Sequence, residues 1–179
     1  MQDIYALITK YYHDNQPLHQ LLLQHSEQVR DKALEVVQKH PELQADAQFI
    51  AEAALLHDIG IYLCDAPTIY CYGKYPYIAH GYLGADILRK EGWERHAWVC
   101  ERHTGTGLSL ATIVEKALPL PHRDMRPVSI EEEIIAYADK FFSKSNPDKM
   151  NDLVNIRETI GRYGAENLVY FDDWHRRFS

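Results

Sequence analysis

Apolar positions recur along most of the chain at three- and four-residue intervals, the period of helices with one buried face. After Pro17 the stripe runs through Leu18, Leu22, Val29, Ala33 and Val36; Asn15 and Pro17 suit its start, and Pro41 follows its end. A second helix is expected from about Asp46 to Ile59, with Phe49, Ile50, Ala53 and Ala54 inward and Gly60 as a C-terminal stop. The pattern breaks up between Ile61 and Tyr77, where two prolines and several tyrosines predict a long loop, a feature often tied to function. Helical spacing returns from about Ile78 to Arg89 and from Trp93 to His103, with a short helix from Leu108 to Leu118. A proline-rich loop starts at Pro119, and Ser129 with Glu132 then forms a capping box for a helix through Phe142. The run SKSNP, from Ser143, is a further break, with Pro147 placed to start the next helix; the last stretch, through Trp174, is expected to be helical. No run alternates as strands joined by hairpin turns do. The expectation is an all-α protein, one domain over residues 1–179, with a core over about 18–143 and C-terminal helices over about 147–178.

Composition narrows the function classes. A chain of 179 residues can bury one sizeable core. The net charge of −7 argues against binding to nucleic-acid backbones, duplex in particular, but leaves room for a small anionic substrate in a locally cationic cleft. The opening MQDIYALITKYY lacks a basic segment and a cleavage site, and no apolar run approaches membrane-spanning length. Cys64, Cys71 and Cys100 are odd in number and show no C-x-x-C spacing, so they read as reduced thiols. A cytoplasmic protein with no membrane partner fits these features.

Candidate chemistry lies in the histidines. His25 falls on the inward stripe with Leu18, Leu22 and Val29; His57 continues that of Ile50, Ala53 and Ala54. His80 shares a face with Leu83 and Ile87, His103 follows Val99 by one turn, and Asp139 lies with Ile135 and Phe142. A single inward histidine is ordinarily a hydrogen-bonded core residue, but an unpaired buried carboxylate is strongly disfavoured. Five such residues on five helices are better explained by one shared centre, and imidazole with carboxylate suits Fe, Mn, Zn and similar ions. The adjacent His57–Asp58 pair ends a helix, where unpaired carbonyls favour a cation. Asp58, with two oxygens, is the natural bridge between two ions.

His25, then His57–Asp58 within LLHDIG, then Asp139 within AYADKF, resembles the HD-domain superfamily of metal-dependent phosphohydrolases, over roughly Leu18 to Ser143. His80, in AHGYLGADIL, and His103, in ERHTGTG, are similar to the extra histidines of two-metal members. The resemblance implies a helical HD-domain bundle. It also implies a first ion on His25, His57, Asp58 and Asp139, and a second on Asp58, His80 and His103. The ions implied are divalent iron or manganese, with zinc, nickel or cobalt as alternatives. Many relatives carry a lysine directly after HDIG, where this chain has Ile61 and Tyr62; nor does RHTGTG match the fuller motif of cyclic-dinucleotide phosphodiesterases.

The leading expectation is hydrolysis of a small phosphorylated substrate, such as a phosphomonoester, a nucleotide or a dinucleoside polyphosphate, by a water or hydroxide held between the ions. Candidates to meet the non-bridging oxygens are Arg102, Lys140 and Lys74; each also reads as an ordinary solvated charge. Tyr70, Tyr72, Tyr75 and Tyr77 are candidates to stack on a nucleobase, against the plainer reading that they cover a core. His96, two turns before His103 on the same face, is read as structural or as a support behind the ligands. Two rivals remain: a di-iron oxygenase with the same ligands, which oxygen consumption would reveal, and a non-catalytic module that senses a nucleotide or metal.

Overall fold

The computed structural model describes residues 4–179, and helices carry the fold. In chain order they are α1 (Ile4–Tyr12), α2 (Gln16–Lys39), α3 (Ala47–Leu56), α4 (His80–Lys90), α5 (Glu94–Arg102), α6 (Leu110–Glu115), α7 (Ile130–Asp139), α8 (Leu153–Gly161) and α9 (Ala165–Phe178). The only strands among the described residues form two small antiparallel pairs: β1 (Asp65–Ala66) with β2 (Cys71–Tyr72), and β3 (Phe142–Ser143) with β4 (Asn146–Met150). The protein is all-α in class, as expected. No described helix is long and apolar enough to cross a membrane.

Helix starts follow local chemistry. Asn15, Asp46, Ser109, Ser129 and Asp152 each accept a hydrogen bond from a backbone N–H of the first turn they precede, satisfying a donor that the helix itself leaves free. Ser129 caps α7 through Glu132 N, but the Glu132 carboxylate turns to Val128 N rather than to Ser129.

Among the described residues, the side chains that face inward form two large apolar clusters and a smaller one around Ala79, Ile113, Leu120 and Met125. Of the large two, one joins α2, α3, α7 and α9 through Val29, Ile50, Ile134, Tyr137 and Phe171; the other joins α1, the start of α2, α4 and α5 through Ile8, Leu18, Leu22, Leu88 and Ala97. Burying each of the larger aliphatic side chains contributes about 1.5–3 kcal/mol before entropic costs. His25 lies between Leu22 of one cluster and Val29 of the other. The seam between the two cores is where the polar residues collect.

Several expectations are corrected. The periodicity reading omits α1, although Ile4, Ile8 and Tyr12 recur at four-residue intervals and are buried. The region Ile61–Tyr77 is mostly irregular, but it contains short 3-10 turns and the β1–β2 pair. α7 stops at Asp139 instead of Phe142, because Phe142 pairs with Met150 in β3–β4 and the Phe141 carbonyl accepts from Asn151 N. Pro147 sits within β4 rather than starting a helix, which begins at Leu153 behind Asp152. Gly60 is not a left-handed stop: its φ is −85°. A Cβ there would lie 2.3 Å from the His80 carbonyl oxygen and 2.4 Å from Gly84 N, so glycine is needed for the close approach of α4.

Candidate metal centre

Three histidines are oriented by the same local device. His57 follows the end of α3, His80 opens α4 and His103 follows the end of α5. Each places Nδ1 on the carbonyl three residues earlier: His57 on Ala54 at 2.6 Å, His80 on Tyr77 at 2.6 Å, His103 on Cys100 at 2.8 Å. A carbonyl only accepts, so each Nδ1 carries the hydrogen and, in the neutral ring, each Nε2 presents a lone pair. Those three Nε2 atoms, with that of His25 from the middle of α2, converge on Asp58.

Asp58 divides its two oxygens between them. Oδ2 lies 3.2 Å from His25 Nε2 and 3.0 Å from His57 Nε2; Oδ1 lies 3.4 Å from His80 Nε2 and 3.5 Å from His103 Nε2. Asp139, the last residue of α7, completes the first side, with Oδ1 3.0 Å from His25 Nε2 and 3.5 Å from His57 Nε2. All six side chains are buried. They form two groups that could each hold a metal ion: His25, His57, Asp58 and Asp139; and Asp58, His80 and His103.

The donors fit cations better than they fit one another. His25 Nε2, His57 Nε2 and both Asp58 oxygens are buried and make no hydrogen bond of acceptable geometry, close as they are. Leaving such atoms unmade costs about 1–3 kcal/mol each, more for charged groups. Imidazole nitrogens and carboxylate oxygens around one point are the ligands that divalent transition metals take. The turn that carries Asp58 is held from below, where Tyr12 of α1 donates its hydroxyl to the Ile59 carbonyl at 2.9 Å.

The electrostatics follow from burial and charge. Burial alone would lower the His57 pKa, but Asp58 and Asp139 overcome it and raise it to about 9. For His80, burial prevails and lowers it to about 3; His103 is lowered for the same reason. Burial pushes the Asp58 and Asp139 carboxyls up, yet neighbouring cations win and both are held well below the usual range, Asp58 by His57 and Lys144, Asp139 chiefly by Lys140.

The expected cationic residues divide. Lys140 Nζ is at the centre, 2.7 Å from Asp139 Oδ2 and 3.3 Å from the His103 carbonyl. Arg102 is not brought there: it lies over the Trp98 ring and donates to both Glu132 oxygens at 3.1 Å, about two helical turns from Asp139 along α7. Lys74 lies over the Tyr75 ring. Tyr77 stacks on His80 with ring centroids 4.7 Å apart, while Tyr72 is exposed. His96 meets Glu52, Phe49 and Trp93, outside the centre. The cysteines are free and buried.

One residue at the centre is absent from the sequence reading. Lys144 stands in the two-residue turn between β3 and β4, with its Nζ 2.5 Å from Asp58 Oδ2 and its side chain 13% exposed. Burial acts to lower its pKa, but Asp58, Tyr77 and Asp139 raise it, so it is an ammonium. The hairpin is docked on α2, where Gln28 donates to the Pro147 carbonyl at 2.9 Å. A cleft of about 500 Å³ opens over Lys140 and Lys144, lined also by Ile69, Tyr77, Phe142 and Asn151.

A helical core with histidines and aspartates gathered at its seam defines a class of helical proteins with a buried centre that could hold metal ions. The chain belongs to the HD domain family, whose model matches residues 22–143. It is 32% identical over 149 residues to a tRNA (cytidine(56)-2'-O)-methyltransferase of Picrophilus torridus, covering 83% of this chain and 37% of that protein. The corresponding enzyme of Thermoplasma volcanium is 33% identical over 150 residues, 83% of this chain and 40% of its own length. An uncharacterized protein of Methanocaldococcus jannaschii is 32% identical over 117 residues, 65% of this chain and 62% of that protein. The chain thus spans less than two thirds of each of these relatives. In fold it resembles the crystal structure of the HD domain of the phosphodiesterase PgpH from L. monocytogenes, with a TM-score of 0.55, 18% identity, and 97% and 95% of the two chains covered.

Proposed function

We propose that this protein is a metal-dependent phosphohydrolase acting on a small phosphoester or nucleotide-type phosphoanhydride. The observation that carries the reading is the division of Asp58, one oxygen toward each pair of histidines, beside a cleft lined by Asp139 and two ammonium groups. His25, His57, Asp58 and Asp139 would hold one divalent cation, and Asp58, His80 and His103 the other. When bound, such a pair supplies an acidified water as nucleophile and a counter-charge for attacking and leaving oxygens.

The chain's own residues do the rest. The three backbone carbonyls fix the rings of His57, His80 and His103 with Nε2 inward, so the donors need little reorganisation. Lys140, held between Asp139 and the His103 carbonyl, keeps positive charge at the mouth of the centre, where an anionic substrate gains most. The cleft volume suits a small molecule, not a duplex. Iron or manganese is the metal we expect. The methyltransferase names are not carried over, since the chain spans only part of those proteins.

The test is a phosphate-release screen on protein loaded with Mn²⁺ or Fe²⁺, run with and without oxygen. Metal-dependent release that persists anaerobically supports the reading. Turnover that consumes oxygen and releases no phosphate would replace it with the oxygenase, and tight nucleotide binding without turnover would replace it with a sensing module.

A further inference from the structure

Lys144 has no counterpart in the six-residue donor set, and its position is unusual for a lysine. It comes from a hairpin turn rather than a helix, five residues beyond Asp139, and its stem passes inward beside Tyr77 to reach Asp58. Lysine side chains are ordinarily solvated, and one with 13% exposure is held there by the charge it meets. The oxygen it meets, Asp58 Oδ2, is the same oxygen that faces His25 and His57. A divalent cation among those residues would compete for that oxygen, and its charge would repel the ammonium at such range. Lys140 is different, because its two acceptors, Asp139 Oδ2 and the His103 carbonyl, leave Asp58 alone.

The displaced ammonium has somewhere to go. The cleft above it is lined by Ser143, Ser145, Asn151, Thr159, Ile69 and Phe142, and among the described residues that line it Asp139 is the one carboxylate. A flexible four-carbon stem can turn Nζ into that space, beside the centre yet clear of its ligands.

Resting on the hydrolase reading above, we propose that Lys144 is a substrate-binding residue: its ammonium contacts a phosphoryl oxygen of the substrate once the metal ions are in place. The hairpin thereby supplies from β3–β4 the phosphate-binding lysine that the segment after His57–Asp58, with Ile61 and Tyr62, does not.

The experiment titrates inorganic phosphate into Mn²⁺-saturated full-length chain by calorimetry, for the wild type, Lys144→Met and Lys144→Arg, with metal content measured in each. We expect Lys144→Met to bind phosphate about 10- to 100-fold more weakly, the scale of one charge-assisted hydrogen bond. Its two ions per chain should be kept, and Lys144→Arg should recover most of the affinity. Phosphate affinity within twofold of wild type in Lys144→Met, or no phosphate binding by the wild type, overturns the proposal. Should Lys144→Met fail to fold, amine acetylation of the wild type decides: Lys144 should react in the Mn²⁺-loaded protein and be protected by phosphate. Absence of reaction or of protection overturns it. A drop in phosphate affinity in a protein that hydrolyses no phosphoester keeps this inference and removes the hydrolase; hydrolysis with KM unchanged in Lys144→Met does the reverse.

Discussion

The Nε2 atoms of His80 and His103 face each other at 3.1 Å, while the Nδ1 of each ring donates to a backbone carbonyl. With both rings neutral, two lone pairs meet head to head, an arrangement that burial makes worse and a cation between them relieves. Saturating metal should therefore stabilise the fold strongly. At a concentration about 100 times Kd, one ion adds about 2.7 kcal/mol. For a chain of this size that is a rise in Tm of about 5–10 °C. Thermal unfolding with Mn²⁺ and with a chelator checks it, and equal midpoints would show that no cation sits there.

Asp58 serves both groups, so its loss should be felt in both. Asp58→Ala is expected to abolish turnover and to lower bound metal to one ion or none per chain. His80→Ala, which touches only the second group, should retain one ion. Metal analysis after desalting reads both; two ions in Asp58→Ala would contradict the bridge.

Metal affinity should depend on pH in a defined direction. Asp58 and Asp139 raise the His57 pKa from 6.5 to about 9 against the effect of burial, so at neutral pH the ring carries a proton that a cation must displace. Apparent affinity should climb by about tenfold per pH unit as pH rises toward 9, then level off. The same shift acts oppositely on the fold without metal. The stabilisation from protonated His57 is full below 6.5 and is lost as pH rises through about 9. Calorimetric Mn²⁺ titrations across that range check the first; a flat profile would mean that His57 does not bind the ion.

Gly60 couples the turn bearing Asp58 to the helix bearing His80. A methyl group there meets the backbone of His80 and Gly84, which can move only if α4 moves. Gly60→Ala should cost about 1–3 kcal/mol, the usual range for overpacking, and weaken the second ion more than the first. Denaturant midpoints and metal content together test this; a loss of stability with both ions bound normally would argue against the coupling.

The legible parts of the molecule share one physical cause. A buried helical stripe is a short-range pattern, so the stretches around Leu22, Ile50 and Ile87 declare their inward faces, and with them His25, His57 and His80. What stays hidden depends on long-range partners. Lys144 reads as a loop lysine because nothing local says that its hairpin will dock on α2 through Gln28 and Pro147. Arg102 reads as a free charge beside His103 because Glu132, which claims it, lies 30 residues away. Gly60 reads as a helix stop, since the close approach of α4 is invisible until the two meet. Pro147 suits a helix start and equally an edge strand that does not need its N–H; pairing with β3 selects the second.

The most direct measurement is an anomalous difference map from crystals of the protein grown with Mn²⁺. The account predicts two peaks on either side of the Asp58 carboxylate, one touching His25, His57 and Asp139, the other His80 and His103. A map with no peak at Asp58, or with manganese only at surface carboxylates, would contradict it.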